Sequence, residues 1–226
     1  PSTRFMRGLD SEGNWRTPFN PRASNHRNDD YCEGTAWQWT WFVPHDVDGL
    51  VELMGGRDAF IGKLDSLFTA DSKLEGESTS VDISGLIGQY AHGNEPSHHI
   101  AHLYNYVGQP WRTQEIVDEV LHTLYFNNPD GLSGNEDCGQ MSAWYILNAM
   151  GFYQVCPGKP VYSIGRPLFN EATVHLKDGK SFKVIAHNNS RDNKYVRSIV
   201  LNGNKLETPF FTHQDIVDGG TLELTM

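Results

Sequence analysis

The sequence contains few cysteines, and their spacing excludes the small folds that depend on them. Cys32, Cys138 and Cys156 are the only three in 226 residues, and they form no C-x-x-C pair. Neither a zinc knuckle nor a disulfide framework is therefore predicted. The simplest interpretation is three small buried side chains. Cys32 and Cys138 each adjoin a candidate acid, however, so a bridge between these two stays open.

Basic residues are also scarce. Lys and Arg number 18 against 28 Asp and Glu, so the formal net charge is -10 at pH 7, and no Lys/Arg cluster occurs. A chain of this charge repels phosphate backbones, which excludes nucleic-acid binding as a function class. An acidic chain rich in Trp and Tyr suits a neutral polar substrate or a cation, although solubility alone also explains the charge.

Long hydrophobic runs are missing as well. No apolar run approaches the ~20 residues that span a bilayer, and the first residues lack the apolar core of a signal peptide. The sequence predicts no transmembrane segment, and neither absence fixes the compartment. Its 38% hydrophobic and 12% aromatic residues are typical of a soluble globular protein with one large domain or two small ones.

Apolar residues recur at helical spacing through much of the first 157 residues. An irregular lead rich in Gly, Pro and Asn comes first, and such long loops usually line a functional site or belong to a larger architecture. The pattern then predicts helices over 46–54, 58–68, 83–90, 96–107, 110–124 and 140–150.

Beyond residue 157 the pattern changes from helical to alternating. Two hairpins are predicted, one around Asp178-Gly179 and one around Asn202-Gly203, with a further strand over 221–224. The sequence therefore predicts an all-α part over 1–157 and a small antiparallel β region over 158–226.

Three segments combine acidic residues with glycine or proline and with aromatic or imidazole side chains. They read Y-C-E-G-T-A-W-Q-W (31–39), G-N-E-P-S-H-H (93–99) and G-N-E-D-C-G-Q-M-S-A-W-Y (134–145). A solvated charge run would be rich in Lys and Glu instead. Together the three segments predict one acidic pocket.

Asp137 has two interpretations. Asp137-x-x-Gln140 has the form of a capping box, so the side chain could cap the helix predicted over 140–150. Capping leaves the neighbouring Asn135, Glu136 and the flanking glycines unexplained. A helix N-terminus also keeps a carboxylate ionised, and an ionised, oriented Asp is what a general base requires.

Glu33 also has two interpretations. Aromatic neighbours such as Trp37 lower the local dielectric and raise a carboxyl pKa, which is how a glutamate becomes a proton donor near neutral pH. Trp37 is then a candidate platform for a sugar ring. The alternative is a solvated loop Glu beside a strand whose Trp residues at alternating positions 37, 39 and 41 belong to the core.

Metal donors are present in two of the segments. Asn94-Glu95 and Asn135-Glu136 offer hard oxygen ligands that suit Ca²⁺. His98 and His102, four residues apart, raise a zinc alternative, but the glutamate of H-E-x-x-H is missing. Core histidines are the simpler interpretation of the pair, and contact of His98 and His99 with substrate hydroxyls is the next.

The three ordered motifs resemble those of glycoside hydrolase family 92, the calcium-dependent exo-acting α-mannosidases. The similarity extends over the whole chain, from F-M-R-G-L-D-S-E-G-N-W (5–15) to the β-rich tail. It implies the C-terminal portion of an (α/α)6 toroid plus a small antiparallel β region. The six helices predicted from the sequence are too few for six helix pairs. The chain is thus expected to be a C-terminal fragment, inactive alone, whose partner is the N-terminal β-sandwich of the same parent chain.

The resemblance also implies roles for single residues. Glu33 corresponds to the general acid and Asp137 to the general base, and Asn94, Glu95 and Asn135 are linked to Ca²⁺. Asn135 stands where many relatives carry Asp. The expected substrate contacts are Trp37, Glu136, His98 and His99.

The implied reaction removes terminal α-linked mannose, expected to be α-1,2-linked, from a mannose-containing oligosaccharide by calcium-assisted hydrolysis with inversion. Such enzymes are secreted, periplasmic or on the cell surface. Two alternatives remain: a non-catalytic carbohydrate-binding or structural fragment, and a toroid glycosidase for another sugar.

Overall fold

A computed structural model describes residues 3–226, and its contacts divide the chain into two compact units. The first unit combines the chain up to His98 with residues 128–137, and the second combines residues 99–127 with residues 138–226. The boundary predicted near residue 157 falls inside the second unit. It marks the change from helices to strands along the sequence.

The first unit contains short helices and two small sheets. Its elements are β1 (Ala23–Asn25), α1 (Ala36–Trp39), α2 (Val47–Leu53), α3 (Arg57–Thr69), β2 (Glu75–Ser78), β3 (Leu86–Ile87), β4 (Tyr90–Ala91) and a 3-10 turn (Glu95–Ser97). Strand β1 pairs with β2 in parallel, and β3 pairs with β4 in a hairpin. Buried apolar side chains of α2 and α3, such as Leu50 and Phe60, form part of its core.

Two helices of this unit confirm the periodicity, and two other interpretations are wrong. α2 and α3 occupy the stretches predicted over 46–54 and 58–68. The stretch 83–90, predicted as a helix, instead turns at Gly88, where φ is +59° and an added Cβ would lie 2.6 Å from the Phe68 carbonyl carbon. Glycine adopts this positive φ without strain, whereas an α-helix needs a negative φ at each residue. The tryptophans at alternating positions begin in helix α1 and do not form a strand.

The second unit contains the longer helices and most of the strands. Its elements are a 3-10 turn (Ile100–His102), α4 (Leu103–Tyr106), α5 (Pro110–Thr123), α6 (Gln140–Met150), β5 (Phe152–Tyr153), β6 (Val161–Ile164), β7 (Glu171–His175), β8 (Ser181–His187), β9 (Ser198–Leu201), β10 (Asn204–Lys205), β11 (Phe210–Thr212), α7 (His213–Asp218) and β12 (Gly220–Thr225). α5 and α6 confirm two predicted helices. The helix predicted over 96–107 is broken into 3-10 turns and the short α4.

The sheets of this unit correct the prediction of a purely antiparallel region. The larger sheet has the order β10-β9-β12-β8-β7, and β12 runs parallel to β8 while it pairs antiparallel with β9. The smaller sheet, β11-β6-β5, is antiparallel. The last strand therefore inserts between two earlier ones, which local alternation of side chains does not reveal.

Both predicted hairpins are confirmed. Asp178 and Gly179 have φ of 61° and 75°, and Asn202 and Gly203 have φ of 50° and 79°. Positive φ at both central residues is the signature of the turn that Asp-Gly and Asn-Gly favour. Inward side chains of the sheets form one apolar core that includes Phe152, Phe182, Phe211, Leu222 and Leu224.

The described chain thus combines helices with small sheets, as predicted, and the toroid itself stays a prediction. Within residues 3–226, no helix combines the length and apolar character required to cross a membrane.

Candidate active site

Glu33 lies in a turn just before helix α1, and hydrogen bonds fix the chain on both sides of it. Thr35 is the N-cap of α1, and its backbone N–H donates to the Gln38 side chain at 2.6 Å. The Trp39 indole N–H donates to the Cys32 carbonyl at 2.7 Å. Gly34 allows the indole to pack closely, because an added Cβ would lie 2.8 Å from Trp39 Nε1. Glu33 itself is solvent-exposed.

Asn94 joins the second motif to the first. Its amide Nδ2 donates to the Glu33 carbonyl at 2.9 Å, across 61 residues of sequence. Its Oδ1 accepts from the Glu95 N–H at 3.2 Å and so caps the 3-10 turn. Only 7% of Asn94 is exposed. The side chain is therefore a buried connection between the two segments.

The third motif lies against the second through paired glycines. A Cβ on Gly134 would lie 2.6 Å from the Gly93 carbonyl oxygen, so the two backbones touch. The Ser84 hydroxyl donates to the Ser133 carbonyl one residue earlier. The acidic parts of the three segments, at Glu33, residues 93–95 and residues 134–137, are thus brought together within the first unit.

Asp137 is exposed within this third segment and does not cap the helix that follows. The N-cap position of α6 is Gly139, and no side chain accepts a hydrogen bond there. The capping interpretation is therefore wrong. Asp137 has a φ of 49°, and Glu33 has a φ of 50°. A left-handed backbone is uncommon for residues other than Gly, Asn and Asp, and such conformations cluster at functional sites.

A cleft of about 360 Å³ lies beside the Glu33 turn, lined by Met6, Arg7, Gly8, Asp30, Tyr31, Cys32 and Trp39. The Tyr31 hydroxyl donates to the Met6 carbonyl at 2.6 Å. Burial, reinforced by the Asp30 carboxylate, raises the pKa of Tyr31 to about 12. Aromatic rings with charged neighbours are suited to a sugar. The sequence predictions did not include this cleft, although F-M-R-G and Asp30 next to the Glu33 motif were the available signal.

Trp37, predicted as a platform for sugar stacking, is buried. Its ring meets Phe5 edge-on at 4.9 Å, and the Lys63 ammonium lies 4.4 Å from the ring centroid. Burial, with repulsion from Arg4, lowers the pKa of Lys63 to about 8. Trp39, which is partly exposed and lines the cleft, is the better-placed indole.

His98 and His99 are buried, at 2% and 4% exposure. His98 Nε2 lies 3.0 Å from the His92 carbonyl, to which it donates. In the second unit, His102 lies 2.9 Å from Asn148 Oδ1 and 3.1 Å from the Ser163 hydroxyl, so both of its ring nitrogens are engaged. These contacts favour core histidines over the zinc alternative. Among residues 3–226, no three His, Cys, Asp or Glu side chains form a metal-binding group.

All three cysteines are free, and none of them is buried as predicted. Cys32 and Cys138 are exposed, and Cys156 is partly exposed. The bridge that the sequence left open is not formed.

Comparison with known proteins identifies the family. The glycosyl hydrolase family 92 catalytic domain matches residues 1–226. The chain belongs to glycosyl hydrolase family 92.

Structures solved for family 92 members share this fold. A family 92 α-mannosidase from Bacteroides thetaiotaomicron, in complex with mannoimidazole, has a TM-score of 0.91 and 44% identity over 98% of this chain and 30% of its own. A family 92 inverting mannosidase from the same organism has a TM-score of 0.83 and 43% identity over 98% of this chain and 31% of its own.

A curated relative of Arthroderma benhamiae, described as an uncharacterized secreted glycosidase, is 31% identical over 197 residues, which are 86% of this chain and 23% of the relative. This family 92 chain therefore spans less than a third of the length of the relatives it matches.

The oxygen donors of this family 92 chain fit a hard cation in type. Glu95 is partly exposed, and Asn135 and Glu136 are exposed on the adjoining segment. Carboxylate and amide oxygens are the donors that Ca²⁺ prefers. Asn94 differs from these residues, because both ends of its amide already bond to the protein.

Proposed function

We propose that this family 92 chain carries the acid and base of an inverting α-mannosidase that removes terminal mannose from glycans. Mannosidase is the activity named for the two solved relatives, and inversion is named for one of them. The observation that carries the proposal is the meeting of the three acidic segments through the Asn94–Glu33 hydrogen bond and the Gly93–Gly134 contact. The substrate is a mannose-containing oligosaccharide, and an α-1,2 linkage is the form to test first.

Glu33 is the proposed general acid. It protonates the glycosidic oxygen as the bond to the anomeric carbon breaks, so that the leaving sugar departs as an alcohol. The cleft beside Glu33 provides room for that leaving sugar, with Trp39 as a ring for it to contact.

Asp137 is the proposed general base. It takes a proton from water as the water oxygen attacks the anomeric carbon from the opposite face, which inverts the configuration. This mechanism needs the two carboxyl groups ~6.5–9.5 Å apart, so that a water fits between Asp137 and the sugar. The exposure of both acids leaves them accessible to substrate and water.

Calcium is the proposed cofactor, with Glu95 and Asn135 as donors from this chain and Glu136 beside them. When bound, the ion would act as a Lewis acid toward sugar hydroxyls. Glu136 is also placed to contact a sugar hydroxyl. Trp37, His98 and His99 are buried, so we propose that they stabilise the fold around the site.

The N-terminal β-sandwich implied by the family resemblance is the proposed partner domain. The chain spans less than a third of its relatives, so substrate contacts from other parts of the parent protein are expected, and the isolated chain is expected to be inactive. A secreted, periplasmic or cell-surface location is proposed, since the curated relative is described as secreted.

Glu33→Gln and Asp137→Asn test the proposal in the protein as its gene encodes it. Each substitution should lower kcat on a mannose disaccharide by about 10²–10⁴-fold, because proton transfer in the transition state contributes about that factor. Glu33→Gln should affect 2,4-dinitrophenyl α-mannoside much less, since that leaving group needs no proton. Asp137→Asn should affect both substrates.

Glu52→Gln, an exposed change on α2, is the matched control and should keep the normal rate. Normal rates for Glu33→Gln and Asp137→Asn would refute the assignment. Mannose binding that survives both substitutions without any turnover in the unsubstituted protein would favour the carbohydrate-binding alternative.

A further inference from the structure

We propose that Asn94 is a positioning residue that holds the acid Glu33 through its main chain. This inference rests on the proposed function, because it assumes that Glu33 is the acid. The family resemblance implies that Asn94 is a calcium ligand, and this inference assigns it a different role.

The Asn94 amide forms two hydrogen bonds with the backbone. The amide donates to the Glu33 carbonyl at 2.9 Å and accepts from the Glu95 N–H at 3.2 Å. Among side chains of this length, only asparagine offers a donor and an acceptor at once. With 7% exposure, the side chain forms these bonds away from competing water. A buried hydrogen bond of this kind holds a definite geometry.

The backbone of Glu33 has an unusual conformation that the Asn94 hydrogen bond holds in place. Glu33 has a φ of 50°, in the left-handed region where residues with a long side chain are uncommon. The carbonyl that Asn94 holds belongs to the peptide plane between Glu33 and Gly34. Fixing that plane fixes ψ of Glu33, and with it the direction in which the Cα–Cβ bond points.

The preceding peptide is held as well. The Trp39 indole donates to the Cys32 carbonyl at 2.7 Å. Both peptide planes that flank Glu33 are thus tied to side chains, one from α1 and one from the Asn94 segment. An exposed carboxylate that lacks rigid surroundings of its own can be aimed in this way, and a small displacement of a catalytic group costs up to ~10²-fold in rate.

Asn94→Asp separates the two roles. The aspartate keeps an oxygen for the Glu95 N–H and adds negative charge, which strengthens a calcium ligand. It removes the N–H that holds Glu33 and places a carboxylate against a carbonyl. A positioning role therefore predicts loss of acid catalysis with calcium affinity kept or increased, whereas a ligand role predicts a gain in affinity with acid catalysis kept.

The experiment uses the protein as its gene encodes it and compares two substrates. For Asn94→Asp, kcat on a mannose disaccharide should fall about 10–100-fold, while kcat on 2,4-dinitrophenyl α-mannoside should fall less than about 3-fold. Calcium affinity, measured by isothermal titration calorimetry with CaCl₂, should not decrease. Asn204→Asp, an exposed change in the β9–β10 hairpin, is the control.

Asn94→Ser is the second variant in case Asn94→Asp does not fold. Serine is a good N-cap but is too short to reach the Glu33 carbonyl, so the same difference between the two substrates is expected. Equal losses on both substrates, or weaker calcium binding in Asn94→Ser with no difference between substrates, would overturn the positioning role. Failure of the proposed function is distinguishable, since Glu33→Gln itself would then show no dependence on the leaving group.

Discussion

Glu33 and Asp137 both have a left-handed backbone, which aspartate tolerates and glutamate rarely adopts. Left-handed backbone costs an ordinary L-residue roughly 1–2 kcal/mol, so neighbouring contacts have to stabilise it. Asn94 and Trp39 supply these contacts around Glu33. For Asp137, the following Cys138 is also left-handed, at a φ of 57°, and Gly139 continues the turn at 96°. At the scale of residues, the site is built from turns that direct each carboxylate outward.

Glu95 and Asn135, the proposed calcium donors, should change the Ca²⁺ affinity in opposite directions when they are substituted. Glu95→Gln should weaken Ca²⁺ binding, because it removes a charge from the site, and Asn135→Asp should strengthen it, because it adds one. Titration calorimetry with CaCl₂ measures both changes, and activity should fall on addition of a chelator. Glu52→Gln should leave the affinity unchanged. Equal affinities in all variants, or activity insensitive to chelator, would contradict the calcium proposal.

At the scale of elements, the contact between the second and third motifs depends on two glycines in different segments. A Cβ on Gly93 would lie 2.5 Å from the Ser133 carbonyl oxygen and would clash with the Ser84 hydroxyl. The Ser84 hydroxyl already donates a hydrogen bond to this Ser133 carbonyl oxygen. The segment 84–94 and the segment 133–137 therefore touch only because no side chain separates them.

Gly93→Ala should push these segments apart. Overpacking of this kind costs about 1–3 kcal/mol in the free energy of unfolding, and activity should fall with it. Gly62→Ala on helix α3 is the matched control, because no atom lies within 4 Å of its added Cβ. That change should stabilise the protein by about 0.5–1 kcal/mol, since alanine replaces glycine inside a helix. Urea unfolding of both variants measures the difference, and equal effects would contradict the close-approach argument.

At the scale of the whole molecule, buried histidines make stability depend on pH. His102 lies in the second unit and is fully buried, with Nε2–H donating to Asn148 Oδ1 at 2.9 Å. The Ser163 hydroxyl, which accepts from Asn105 at 2.6 Å, donates to Nδ1. Burial, reinforced by His99 and opposed by the Asn148 hydrogen bond, lowers the pKa of His102 to about 4. Burial lowers the pKa of His92 in the first unit as well.

Acid should therefore destabilise the protein between pH 6.5 and about 4. In this window the unfolded chain binds a proton at His102 that the folded chain does not, so stability falls as pH falls. The loss from His102 is on the order of 3 kcal/mol over the window. Urea unfolding from pH 7 to pH 4 should give a smaller slope for His102→Gln than for the unsubstituted protein, and His175→Gln, an exposed change on β7, is the control. An unchanged slope in His102→Gln would contradict this assignment.

Local patterns determined several features of this protein from the sequence. The helices α2, α3, α5 and α6 follow from apolar spacing, because burial of one face repeats every 3.6 residues. The Asp178-Gly179 and Asn202-Gly203 turns follow from the residues that accept positive φ. The motifs around Glu33, Asn94 and Asp137 identified the candidate site and the family.

Contacts between distant residues decided the rest. The insertion of β12 beside β8, the packing of Gly88 against Phe68, the burial of Trp37 and the Asn94–Glu33 hydrogen bond each join residues far apart in sequence. Periodicity and turn propensity describe only the residues within one segment. Which backbone meets which, and hence where Glu33 points, depends on packing that exists only once the chain has folded.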